Sequence, residues 1–244
     1  MFTHYSLDDG LSQNTVMSMA QDSKGVMWFA TWNGLNRFDG TRFHNYKVQW
    51  GNPSGLSNSR IDHICLDRYD RIWGTTYSRH ACFFNPLTEE LSLVPAEGQA
   101  GSDAAIVKVE VLPDAVWLLA DEGGAGRAVA IGAEDQPQTS WFSAEQLGRV
   151  AGVVADAQGN EWIYGEKGLF RYQPSQSQPH PEHVTSRQLA DTGRGDLNHF
   201  ADHHFTTALR CGETLLLGNA YGQVWRYDGM TCSACHYKGL LRLL

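Results

Sequence analysis

Short apolar stretches alternate with polar, glycine-containing turns along this chain. In the first 47 residues the pattern predicts four strands, at about Thr15–Gln21, Val26–Thr31, Leu35–Phe38 and Phe43–Lys47. Ser23-Lys24-Gly25, Asn33-Gly34 and Asp39-Gly40 separate them. Asn-Gly and Asp-Gly favour the positive φ that two-residue hairpin turns need. The second strand, Val26-Met27-Trp28-Phe29-Ala30-Thr31, is apolar on both faces. A sheet with one solvated face would alternate instead, so this strand predicts a sheet covered on both sides.

The pattern repeats. Trp28, Trp73, Trp117 and Trp162 are 45, 44 and 45 residues apart. "DSKGVMW" before Trp28 matches "DRYDRIW" before Trp73 and "DAQGNEW" before Trp162. Asp22, Asp67 and Asp156 each stand six residues ahead of their Trp. Gly25 and Gly159 share a turn position that Asp70 fills in the second copy. The third copy, "LPDAVWLLA", lacks the early Asp, and a fifth, degenerate copy, "RCGETLLLGN", puts Leu where Trp stood. Further on, "NGLNRFDG", "KGLFRYQP" and "GQVWRYDG" align Arg37, Arg171 and Arg226, then Phe38, Tyr172 and Tyr227.

Units of four antiparallel strands, about 40–45 residues long and buried on both faces, predict an all-β fold built of β-propeller blades. The expected blades span 9–54, 55–99, 100–145, 146–196 and 197–244. Residues 1–8 mirror the Phe43–Tyr46 region and are expected to form the outer strand of a ring-closing blade. In this reading the Asp and Gly of each copy shape the first turn, and the Trp wedges between adjacent blades.

Composition narrows the function classes. The net charge of −8 argues against a phosphate-backbone binder, which needs a basic face. No apolar run reaches the roughly 18 residues of a membrane helix. "MFTHYSLDDG" has neither a basic nor an apolar leader region, so the sequence predicts either a cytosolic protein or a chain without its native start. Cys65, Cys82, Cys211, Cys232 and Cys235 are too scattered to suggest a disulfide framework.

Several clusters could carry chemistry. "CSACH" fits the C-x-x-C-H haem-attachment pattern with Cys232, Cys235 and His236, which also make a weak metal candidate. Alignment with the first unit puts Cys232 on Phe43 and Cys235 on Tyr46, which favours an outer strand, and no cofactor is expected. "HFADHHF" has adjacent His203 and His204, which would point to opposite faces of a strand rather than converge on a metal. The D-x-x-G-x-x-W motif differs by one position from the sialidase Asp-box. Propeller ligands usually meet inner-strand entrances and inter-strand loops. Those places hold Asn14, Trp32, Asn33, Arg60, His63 and Tyr77. Trp32, just past the second strand where the fourth unit has Glu166, suits sugar stacking or packing on the next blade.

The run "GLSQNTV" followed by "QDSKGVMWFATWNGLNRFDGTRFHNY" resembles the two-component-regulator propeller repeat, strongly over 7–47, well over 55–75 and 150–172, and weakly elsewhere. The resemblance implies an extracytoplasmic sensor module of a hybrid two-component system. Family members carry two seven-bladed propellers, a β-sandwich, a membrane helix, a histidine kinase, a receiver and a DNA-binding module. It therefore implies five blades of an incomplete ring, an oligosaccharide ligand, signalling through a homodimer, a periplasmic location and a membrane link only through further segments. No catalytic residue and no nucleic-acid partner is expected in this stretch. A five-bladed glycoside hydrolase or lyase, and a scaffold for protein partners, are the alternative readings.

Overall fold

The computed structural model describes residues 2–47, 58–94, 104–129, 132, 136–184 and 204–227, with the backbone of 232–234. Among the described residues five four-stranded sheets carry the fold, each antiparallel and each in sequential order. The first comprises β1 (Val16–Gln21), β2 (Met27–Thr31), β3 (Gly34–Phe38) and β4 (Phe43–Tyr46). The second comprises β5 (Ile61–Leu66), β6 (Ile72–Thr76), β7 (Ala81–Asn85) and β8 (Glu90–Leu93). The third comprises β9 (Ile106–Val111), β10 (Val116–Ala120), β11 (Ala125–Val129) and β12 (Gln138–Phe142). After the single-turn helix α1 (Ala144–Leu147) come β13 (Val150–Ala155), β14 (Glu161–Gly165), β15 (Gly168–Tyr172) and β16 (Glu182–His183). The last sheet is β17 (Phe205–Cys211), β18 (Thr214–Asn219), β19 (Val224–Tyr227) and β20 (Cys232–Ala234). These are propeller blades. The chain divides into two compact units, Met1–Phe142 and Ser143–Leu244.

The strand register reproduces the sequence repeat. Trp28 stands across from Arg37, and Trp162 from Arg171. In the last sheet Leu216 stands across from Arg226, so it takes the Trp position. Four tryptophans, Trp28, Trp73, Trp117 and Trp162, are at most 1% exposed. Trp28 packs with Ile61, Ile64 and Phe84 of the next sheet. Trp73 joins Val109 and Leu118, and in the second unit Trp162 joins Phe205, Leu217 and Tyr227. Each of these three therefore fills the gap between two sheets. Truncating such a side chain to Ala costs about 3–5 kcal/mol.

The repeated Asp has two tasks. In the first copy Asp22 Oδ1 accepts the amides of Lys24 and Val26 at 3.0 and 2.9 Å, which closes the β1–β2 turn. Its Oδ2 accepts from Trp28 Nε1 at 3.1 Å. Asp67 and Asp156 take the indoles of Trp73 and Trp162 in the same way, at 2.9 and 2.8 Å. One carboxylate thus sets the turn and orients the wedge. The turn position after it needs positive φ: Gly25 has +84° and Gly159 +82°. Asp70 adopts +59° there, in the left-handed region that short polar side chains tolerate.

Residues 2–6 form no strand. Each third strand among the described residues already pairs with its own fourth. Tyr5 packs instead on Phe38 and Phe43 at 4.9 and 5.8 Å between ring centroids. Leu7–Asp9 then make a 3-10 turn capped by Ser6.

Candidate functional site

One end of the second, third and fourth blades is built the same way. The residue just after the second strand donates its amide to the carbonyl of the residue just before the first. Tyr77 bonds Arg60 at 3.3 Å, Asp121 bonds Ala105 at 2.8 Å, and Glu166 bonds Arg149 at 2.8 Å. Val16 pairs with Thr31 as Ile61 pairs with Thr76, so Trp32 occupies the position of Tyr77 in the first blade. A bulge follows the first residue of β1, β5, β13 and β17, and bulges re-aim the side chains beside them. The variable residues Tyr77, Asp121 and Glu166 therefore stand on a constant frame, and Trp32 takes the same register position in the first blade.

In the first unit this frame assembles a stack. The Arg60 guanidinium carbon lies 5.1 Å from the Trp32 ring centroid and 4.5 Å from that of Tyr77. One cation thus bridges aromatic rings of two consecutive blades. Asp62 holds the cation from the side, accepting from Arg60 Nε at 2.7 Å. The Arg60 amide donates to Asn58 Oδ1 at 3.0 Å, which fixes the entry to β5. Trp32 Nε1 points at Met17 Sδ, 3.2 Å away. Trp32 is 49% exposed and Tyr77 61%, large values for such rings. A cation over an aromatic face contributes about 0.5–1 kcal/mol at exposed sites.

The other expected contacts lie differently. Asn14 Oδ1 accepts from the Leu7 amide at 3.1 Å. Asn33 Nδ2 donates to the Ser12 carbonyl at 3.4 Å, and its amide bonds Thr31 Oγ1. Both side chains are engaged with nearby backbone. His63 is exposed on β5, and its carbonyl would clash with a Cβ added at Gly74. Cys232 falls on the outer strand across from Tyr227, as Phe43 stands across from Phe38. Cys235, His236, His199 and His203 lie outside the described residues.

Sequence reasoning missed Met17, Asp62 and the neighbouring ion pair of Arg79 with Asp121, 2.7 Å long. The 45-residue offset that makes Trp32 and Tyr77 equivalent was the available signal. Arg60 and Asp62 have no counterpart in the first copy, where Thr15 and Met17 stand.

The family described as "Two component regulator propeller" matches residues 10–33, which run through β1, β2 and Trp32. The chain carries a two-component regulator propeller repeat. A 53-residue segment is 42% identical to histidine kinase P4 of Formosa agariphila, over 22% of this chain and 4% of that protein. The extracellular domain of the hybrid two-component system BT4673 of B. thetaiotaomicron superposes with a TM-score of 0.52 at 21% identity. That match covers 92% of this chain and 31% of the other. Virginiamycin B lyase of Staphylococcus aureus superposes with a TM-score of 0.56 at 9% identity, over 91% of this chain and 69% of the lyase. At such identities the two structures share only the fold with this chain. The chain spans under a third of the BT4673 domain, and a far smaller share of histidine kinase P4.

Proposed function

We propose that this chain is a ligand-sensing propeller module of a hybrid two-component system, acting outside the cytoplasm and recognising an oligosaccharide. The observation that carries this reading is the Trp32–Arg60–Tyr77 stack, which combines two exposed aromatic rings with a fixed polar head. Sugars offer apolar C–H faces rimmed by hydroxyls, and aromatic rings beside polar groups complement them. The regulator-propeller repeat supports the signalling half of the reading. In this scheme ligand binding alters the arrangement of a homodimer, and phosphotransfer belongs to a kinase domain of the same protein.

Calorimetric titration of the 244-residue chain with a panel of neutral and acidic oligosaccharides tests it. At least one saccharide should bind saturably. Trp32→Ala and Tyr77→Ala should each weaken that binding about tenfold, the size of one lost aromatic contact. Silence across the panel, or binding indifferent to both substitutions, would refute the reading.

A further inference from the structure

We propose that the Trp32–Arg60–Tyr77 site selects acidic saccharides, seating the carboxylate of a uronic acid on the free edge of the Arg60 guanidinium. This rests on the glycan-sensing reading above and narrows its ligand class. Among the described residues the Arg60 guanidinium hydrogen-bonds through Nε alone, in the 2.7 Å bond to Asp62. Among the described residues no acceptor faces its Nη1 or Nη2 groups. Those two groups form a planar, donor-only edge, which matches the two oxygens of a carboxylate in a forked pair. A hydroxyl both donates and accepts, so it uses such an edge less fully.

The cation is also fixed in advance. Trp32 and Tyr77 hold its faces, at 5.1 and 4.5 Å, and Asp62 holds its inner edge. Little side-chain freedom remains to be lost when a ligand binds, which favours affinity at a small contact. The guanidinium occupies the ring faces turned toward it, so those faces are closed to a stacking pyranose. The polar edge then becomes the main source of selectivity. Two residues beyond Tyr77, in the same turn, Arg79 supplies a second guanidinium, itself exposed, paired through Nη1 with Asp121 at 2.7 Å. Asp62 places one negative charge beside the site, which limits the favoured ligand to a lightly charged chain.

The test uses the full 244-residue chain and trimers of galacturonate, glucuronate and mannuronate. Each is paired with its methyl ester and its neutral parent trisaccharide. At least one uronate should bind at least tenfold more tightly than both of its uncharged counterparts. Raising salt should narrow that gap. Arg60→Lys keeps the charge but not the fork, and should weaken uronate binding severalfold; Arg60→Gln should erase the preference. The ester comparison on the unaltered chain keeps the test valid even if a variant folds poorly. If neutral trisaccharides bind as well as uronates, acid selection is refuted while glycan sensing stands. If nothing in either class binds, both fall.

Discussion

Trp73 Nε1 donates to Asp67 Oδ2 across 2.9 Å, and the same oxygen takes Arg71 Nε at 2.7 Å. Asp67 and Arg71 are both buried, and the Arg71 guanidinium also lies over Tyr69 and Phe83. In the first blade Asp22 serves Trp28 from a half-exposed turn, where Val26 stands at the position of Arg71. The two blades share a motif but differ in what its carboxylate neutralises.

That difference predicts unequal costs. Asp67→Ala takes the carboxylate from a buried guanidinium, leaving it the Gly132 carbonyl, and should destabilise the first unit by about 3–5 kcal/mol. Asp22→Ala loses turn and indole bonds near solvent and should cost about 1–2 kcal/mol. Urea denaturation followed by tryptophan fluorescence measures both. Equal losses would show that the Arg71 pair contributes little.

The β5–β6 turn is joined to the β1–β2 turn of the preceding blade through Asp70. Its Oδ1 accepts from the Ser23 amide at 2.9 Å, and its other oxygen from the Ser23 hydroxyl. Asp70 does this at a φ of +59°, which Asn tolerates and Ala resists. Asp70→Asn should therefore stay within about 0.5 kcal/mol of the parent, because the amide acceptor survives. Asp70→Ala should lose about 1–2 kcal/mol, adding backbone strain to the lost bonds. The same denaturation experiment ranks them, and Ala performing as well as Asn would contradict the account.

Burial pushes the thiols of Cys65 and Cys82 up to about 12, with the nearby Asp67 carboxylate adding to the effect at Cys65. Thiolate is the reactive species, so both should resist alkylation at pH 8 in the folded chain. Cys211 is exposed and should react first among these three. Iodoacetamide labelling read by peptide mass spectrometry checks the order, and early modification of Cys82 would overturn it.

Hydrogen bonds from the Thr41 hydroxyl and the Arg42 and Thr41 amides hold the Asp39 carboxyl at about 2, against an ordinary 3.8. The folded pKa is the lower one, so this group favours the folded state fully above pH 3.8. Its contribution fades as the pH falls toward 2. Carboxyl-detected NMR titration should place the Asp39 midpoint well below the ordinary 3.8. Thr41→Ala should raise that midpoint, and an unchanged value would refute the assigned cause.

The blade pattern was legible because local chemistry repeats. The strands expected at Val26–Thr31 and Leu35–Phe38 appear as Met27–Thr31 and Gly34–Phe38, since turn glycines fix where a hairpin must reverse. The shared turn position of Gly25, Asp70 and Gly159 was visible from alignment alone and is the positive-φ position of each turn. The bond from each Asp to its Trp indole was not visible, because a six-residue spacing says nothing about which way a carboxylate oxygen turns.

The candidate site divides along the same line. The sequence by itself determined the repeat, the blade architecture and the loop positions of Trp32, Arg60 and Tyr77, because hairpin periodicity and turn residues are local properties. Tertiary structure decided that these three residues, from two blades, form one stack, while Asn14 and Asn33 turn to nearby backbone. Sheet-to-sheet packing sets that outcome: buried Trp28 lodges against Ile61 and Phe84 and so fixes the second blade's Arg60 between the two rings. A linear pattern specifies which residues reach the end of a blade, and only packing between blades specifies which of them meet.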